Sequence, residues 1–130
     1  MDRFDRVGFL ESSSGLDRGP EPPTRFLEGL ALALEPHLND PQLGVDLVVR
    51  LLGTSRQSLQ RRLRANGTTL SAEIRRLKQD RAIADLLNSN RSISEIATGL
   101  GFQEPTSFTR AFRSWTGESP REYRTNRRAP

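Results

Sequence analysis

Two stretches decide the fold: Gly53-Thr54-Ser55-Arg56-Gln57-Ser58-Leu59-Gln60-Arg61-Arg62-Leu63, and Gly101-Phe102-Gln103-Glu104-Pro105-Thr106-Ser107-Phe108-Thr109-Arg110-Ala111-Phe112. Each is a turn glycine followed by an amphipathic helix with an apolar-x-Arg-x-apolar centre, Leu59/Arg61/Leu63 in the first copy and Phe108/Arg110/Phe112 in the second. The glycines lie 48 residues apart and the central arginines 49, so the second turn is one residue longer. A helix halted by glycine, a second helix, and then the same pattern again predict a duplicated helix-turn-helix.

The surrounding chain supplies the other helices. Phe26, Leu27, Leu30, Ala31 and Leu34 recur at helical spacing from Thr24 until Pro36 breaks the run. Asn39-Asp40-Pro41 is a turn; a second helix covers about 45–52, and a third, about 55–65, stops at Asn66-Gly67. A long helix over about 69–88 carries Leu70, Ile74, Leu77, Ile83, Leu86 and Leu87 on or beside one stripe. Ser92 and Glu95 form a capping box that opens a fifth helix, ended by Gly101, and the sixth runs over about 105–116. Ser119-Pro120-Arg121-Glu122 is a second capping box, opening a short last helix through Tyr123. No segment alternates with period two for long. The expected fold is all-α: seven helices in two helix-turn-helix subdomains joined by a long helix. We expect 1–23 to be a flexible arm or linker, 24–126 the folded domain, and 127–130 a basic tail.

Composition narrows the function. With 130 residues, 34% of them hydrophobic, the chain supports a modest core and no large enzyme cavity. The absence of cysteine excludes disulfides and thiolate chemistry, and His37 is the only histidine. No acidic cluster has the spacing of a carboxylate metal site, so no metal or cofactor is expected. No nucleophile–base pair, carboxylate dyad or phosphate-cradling glycine loop suggests an enzyme. No export signal or membrane-spanning run is read, which places the expected protein in the cytoplasm.

The charge is split along the chain. Residues 1–52 hold 5 basic and 9 acidic residues, a net of −4; residues 53–130 hold 15 and 7, a net of +8. All the cations but Lys78 are arginine, whose planar fork suits phosphates and guanine edges. A polyanion partner follows, and the helix-turn-helix pattern makes it double-stranded DNA.

In a helix-turn-helix the second helix enters the major groove while the first braces it against the backbone. At about 100° per residue, Gln57, Gln60, Arg61 and Arg64 share one face of the third helix, opposite Leu59 and Leu63. Thr106, Thr109, Arg110 and Arg113 share the matching face of the sixth, opposite Phe108, Phe112 and Trp115. Glutamine pairs with adenine N6/N7 and arginine with guanine O6/N7. Gln57, Gln60 and Arg61, with Thr106, Thr109 and Arg110, are therefore the expected base readers; Ser55, Arg56, Arg64 and Arg113 are the expected phosphate contacts. Ser55 is first of all a helix N-cap, which beside DNA can also bond a phosphate. The alternative for Arg61 and Arg110 is an acid partner or a helix carbonyl. The aromatic residues Phe102, Phe108, Phe112 and Trp115 follow the apolar stripe and are assigned to the core.

The long helix spans about 28 Å at ~1.5 Å per residue, close to the ~34 Å between successive major-groove openings on one face of B-DNA. Such a connector suits one chain reading two adjacent grooves as a monomer, at an asymmetric site. The small residue expected in each brace helix is Ala97 in the second copy, but Val49 in the first.

These residues resemble a known family. Ser92-Ile93-Ser94-Glu95-Ile96-Ala97, Leu100-Gly101-Phe102, Phe108-Thr109-Arg110-Ala111-Phe112-Arg113, Trp115, Gly117, Ser119-Pro120 and Tyr123-Arg124 are similar to the C-terminal signature of the AraC/XylS transcription regulators. Leu52-Gly53-Thr54-Ser55-Arg56, Leu59-Gln60-Arg61-Arg62-Leu63 and Gly67-Thr68 resemble that family's first helix-turn-helix. The resemblance implies two subdomains, gene regulation and interaction with RNA polymerase. It leaves open a standalone regulator or a piece of a longer one. The rival from another class is a protein-interaction module that keeps the fold but acts on a partner such as polymerase.

Overall fold

Glycine, serine and proline punctuate this chain where the sequence places them, and the elements follow. The computed structural model describes residues 23–128. These form α1 (Pro23–Leu34) with a 3-10 turn at Glu35–His37, α2 (Val45–Leu52), α3 (Arg56–Ala65), α4 (Leu70–Asn88), α5 (Ile93–Gly99), α6 (Pro105–Thr116) and α7 (Pro120–Arg127). The described residues contain seven α-helices and no strand, as the periodicity predicts. The arm expected over 1–23 lies outside the described residues except for Pro23, the first residue of α1. Proline suits that place because its missing N–H has no intrahelical partner there.

Four of the helix starts, those of α3, α4, α5 and α7, are closed by side chains. Ser55 Oγ accepts from the Ser58 N–H at 3.0 Å, and Thr69 Oγ1 from the Ala72 N–H at 3.1 Å. Both predicted capping boxes are formed: Ser92 Oγ accepts from the Glu95 N–H while the Glu95 carboxylate accepts from the Ser92 N–H, and Ser119 and Glu122 repeat the exchange. Each such cap satisfies donors the helix itself cannot, worth about 1 kcal/mol.

The described chain divides into two compact units, residues 23–37 with 42–73, and residues 38–41 with 74–128. In the first, α1 packs on α2 and α2 on α3, and Phe26, Leu30, Leu34, Val48, Leu59, Leu63 and Leu70 are buried. Glu73, at the start of α4, is also buried, and its carboxylate accepts from Thr68 Oγ1 at 2.8 Å. In the second unit α5 packs on α6 and α6 on α7. Its core is Ala82, Leu86, Ile96, Ala97, Leu100, Phe108 and Phe112. Phe112 meets Tyr123 edge-on with ring centroids 5.3 Å apart, a geometry that aligns a ring edge with a π face, and Phe108 at a tilt, 5.7 Å away. α4 is unbroken from one unit into the other.

Three details differ from the expectation. On α4 Ala82 is fully buried beside Leu86, while Ile74, Ile83 and Leu87 are half-buried; a stripe drawn through large apolar residues passes over a small one at the core. Phe102 and Trp115 are half-buried members at the edge of the aromatic cluster, where Phe108 and Phe112 are its centre. The last helix does not stop near Tyr123 but continues to Arg127. Arg124 anchors that extra turn, donating to the carbonyls of Leu86 at 2.9 Å, Ser89 at 3.2 Å and Asp85 at 3.4 Å. Asp85 and Leu86 lie in the last turn of α4 and Ser89 follows it directly, where carbonyls run short of intrahelical donors. Arg128 adds a bond to the Ser89 carbonyl at 2.9 Å, and Arg127 pairs with Glu118 at 3.1 Å while lying over the Tyr123 ring.

Gly53 and Gly101 both hold left-handed backbone, φ 65° and 88°. A Cβ at Gly53 would meet nothing within 4 Å, whereas one at Gly101 would come within 3.3 Å of the Leu38 and Asn39 backbone. Gly53→Ala should cost about 1–2 kcal/mol for the left-handed conformation alone. Gly101→Ala should cost at least ~1 kcal/mol more, because backbone must shift as well. Urea unfolding of the two variants checks the order.

Candidate nucleic-acid interface

The two turns close in the same way. The Thr54 N–H donates to the Val49 carbonyl at 3.1 Å, and the Phe102 N–H, one residue past its own glycine, to the Ala97 carbonyl at 3.0 Å. Val49, the bulkier residue in the small-residue position, therefore leaves the closure intact. It is half-buried, where Ala97 is fully buried. The longer second turn appears as predicted: α3 starts three residues after Gly53, and α6 four after Gly101.

α3 and α6 each split into a buried ridge and an exposed face. Leu59 and Leu63 are 1% exposed, and Phe108 and Phe112 are fully buried. Opposite the first ridge, Gln57, Arg61 and Arg64 are exposed and Gln60 half-buried; opposite the second, Thr106 and Arg110 are exposed and Thr109 half-buried. Among the described residues neither Arg61 nor Arg110 has an acid or carbonyl partner, so neither takes the alternative role the sequence leaves open. Arg64 is likewise without one. Arg62, next in sequence to Arg61, lies over the Phe26 ring at 5.3 Å instead, a cation–π contact that ties α3 to α1.

The expected phosphate contacts stand differently. Ser55 is the N-cap of α3. Arg56, the first residue of that helix, is paired with Asp46 from the first turn of α2. Arg113 is paired with Glu122 at 3.7 Å. The Glu122 carboxyl titrates below its usual range, chiefly because it accepts from the Ser119 backbone and then its side chain, with Arg113 adding a smaller attraction. Sequence spacing does not show these pairs: Asp46 and Arg56 are ten residues apart across a turn, and Glu122 is accounted for by its cap. Lys78, the one lysine, was equally unmarked. Its ammonium sits 5.2 Å from the Phe102 ring centroid, and burial pushes its pKa down.

Comparison with known proteins agrees with this geometry. Residues 48–126 match a family model described as a helix-turn-helix domain. The chain belongs to the AraC family of transcription regulators. The HTH-type transcriptional regulator VqsM of Pseudomonas aeruginosa is 38% identical over 77 residues, 59% of this chain and 24% of that protein. The chain thus spans about a quarter of that relative's length. The regulatory protein SoxS of Escherichia coli K12 is 31% identical over 101 residues, 77% of this chain and 94% of SoxS. Among solved structures, the DNA-binding domain of the global transcriptional factor AdpA, in complex with a target DNA, superposes with a TM-score of 0.67 at 27% identity, covering 78% of this chain and 92% of that one. What this chain carries of the AraC family is its DNA-binding domain. Among the described residues no helix is long and apolar enough to cross a membrane.

The buried ridge sets which face of α3 and of α6 points outward, and in α6 that ridge is aromatic. Phe112→Ala should destabilise the second unit by about 3–5 kcal/mol, whereas Trp115→Ala, which removes a half-buried ring, should cost less. Equal losses in thermal melts of the two variants would contradict the burial order.

Proposed function

We propose that this chain is a sequence-specific transcription regulator that reads two adjacent major grooves of double-stranded DNA as a monomer. The observation that carries the reading is the repeated pairing of a buried apolar ridge with an exposed face whose central arginine, Arg61 or Arg110, has no partner among the described residues. A guanidinium kept out of internal pairs on a recognition helix is available for guanine O6/N7. Gln57, Gln60 and Arg61 are the stronger base-reading set, since long polar side chains reach base edges. Thr106, Thr109 and Arg110 are the shorter set, with Thr109 half-buried and its reach reduced. Ser55, Arg56, Arg64 and Arg113 hold phosphates. AdpA bound to DNA and the regulators VqsM and SoxS support the assignment by their family and named roles. Contact with RNA polymerase and action at the nucleoid belong to the same proposal on family grounds.

Arg61→Ala should weaken binding to a selected site by about 1–3 kcal/mol and relax preference at one base pair. Gel-shift titration against the selected site and single-base variants measures both. An unchanged affinity in a folded Arg61→Ala protein removes Arg61 from the reading set.

α4, 19 residues long, is the connector of the two-groove proposal at about 28 Å. Five base pairs inserted between half-sites rotate one of them by about half a turn, which a stiff connector follows only by bending DNA at a cost of several kcal/mol. Affinity should fall toward the non-specific level and stay low with ten inserted pairs. A flat response to spacing would leave the first helix-turn-helix as the sole reader.

A further inference from the structure

Two of the three arginines expected to hold phosphate, Arg56 and Arg113, are paired with acids; Arg64 is not, and neither are Arg61 and Arg110, expected to read bases. Arg56 opens α3 and pairs with Asp46, a residue of the brace helix α2; both side chains are largely exposed. Arg113 lies on α6 and pairs with Glu122 of α7. The same arrangement recurs in both units: an acid from a neighbouring helix sits on an arginine beside the reading face. Arg61 and Arg110, at the centres of those faces, have no such acid among the described residues. A carboxylate and a phosphate compete for the same guanidinium fork, since both present paired oxygens to it.

We propose that Asp46, and likewise Glu122, is an intramolecular competitor of DNA phosphate that restrains the affinity of this domain for the duplex backbone. The proposal rests on the reading of Arg56 and Arg113 as phosphate contacts. On the free protein the acid holds the guanidinium. On DNA the guanidinium transfers to a phosphate, and the released carboxylate takes up a cation from solution. That uptake subtracts from the cations DNA releases, so each competing acid makes the salt dependence of binding shallower by up to about one in the log–log slope. Because phosphate contacts carry no sequence information, the restraint acts on every duplex alike and leaves base preference to Gln57, Gln60 and Arg61.

The test is a double-mutant cycle on the full chain, with a selected duplex and a random duplex as probes. Asp46→Asn keeps the side-chain shape and removes the charge; Glu122→Gln does the same and can still complete the capping box. Asp46→Asn should tighten binding about two- to fivefold at low salt on both duplexes, the range a surface ion pair supports, and steepen the salt slope by up to about one. The increase should shrink as salt screens the pair. It should also shrink in an Arg56→Ala background, where there is no guanidinium to release. Glu122→Gln should behave in the same way, with Arg113→Ala as its background.

Equal tightening in the Arg56→Ala background would overturn the proposal, because Asp46 would then act only as one more negative charge near DNA. No tightening at all, with Arg56→Ala alone weakening binding, would overturn it while leaving the phosphate role of Arg56 standing. If Arg56→Ala alone leaves affinity unchanged, the phosphate reading of Arg56 fails, and the competitor role of Asp46 fails with it. Melting curves of each variant confirm that the comparison is between folded proteins.

Discussion

The second helix of each helix-turn-helix is aimed by one backbone constraint, a left-handed residue between two helices that must pack closely. At Gly53 and Gly101 the chain turns with positive φ, and the next N–H closes on a carbonyl of the preceding helix. Only glycine takes that conformation without strain, and at Gly101 only glycine fits beside the Leu38 and Asn39 backbone. With the turn set, a ridge of Leu59 and Leu63, or of Phe108 and Phe112, can face the core. Burial of that ridge then settles which residues face out. The base reading we propose is in this sense a consequence of core packing on the far side of the same helix.

The arginines divide by the company they keep. Some are structural: Arg124 closes the end of α4 through three carbonyls, and Arg62 covers Phe26. Others, Arg56 and Arg113, are shared with an acid near the proposed phosphate positions. Arg61, Arg64 and Arg110 remain unpaired among the described residues. The 15 basic residues of 53–130 therefore overstate the cations free to meet a polyanion, because several of them are engaged inside the fold. Arginine serves all three uses since its fork bonds carbonyls, carboxylates and phosphates with similar geometry.

The helices and their limits were legible in the sequence because they depend on local chemistry. The capping serines Ser55, Ser92 and Ser119, the turn glycines and the apolar periodicity act within four or five residues of chain. They predicted seven helices, the repeat and its one-residue offset. The exposed placement of Gln57, Arg61, Thr106 and Arg110 was legible for the same reason: a helix with one apolar ridge has its opposite face determined by rotation alone.

What only the tertiary structure decided lies where side chains meet across sequence. The burial of Ala82 in place of Ile83 depends on how closely helices approach, which no stripe of large residues records. The continuation of α7 to Arg127 depends on carbonyls at the end of α4 and just past it, more than thirty residues earlier. The pairing of Arg56 with Asp46 and of Arg113 with Glu122 depends on which helices lie side by side. Local rules specify a helix because its hydrogen bonds close within the helix. An ion pair, a packed ring or a borrowed cap is completed only by the folded chain, which brings distant residues within a few ångströms.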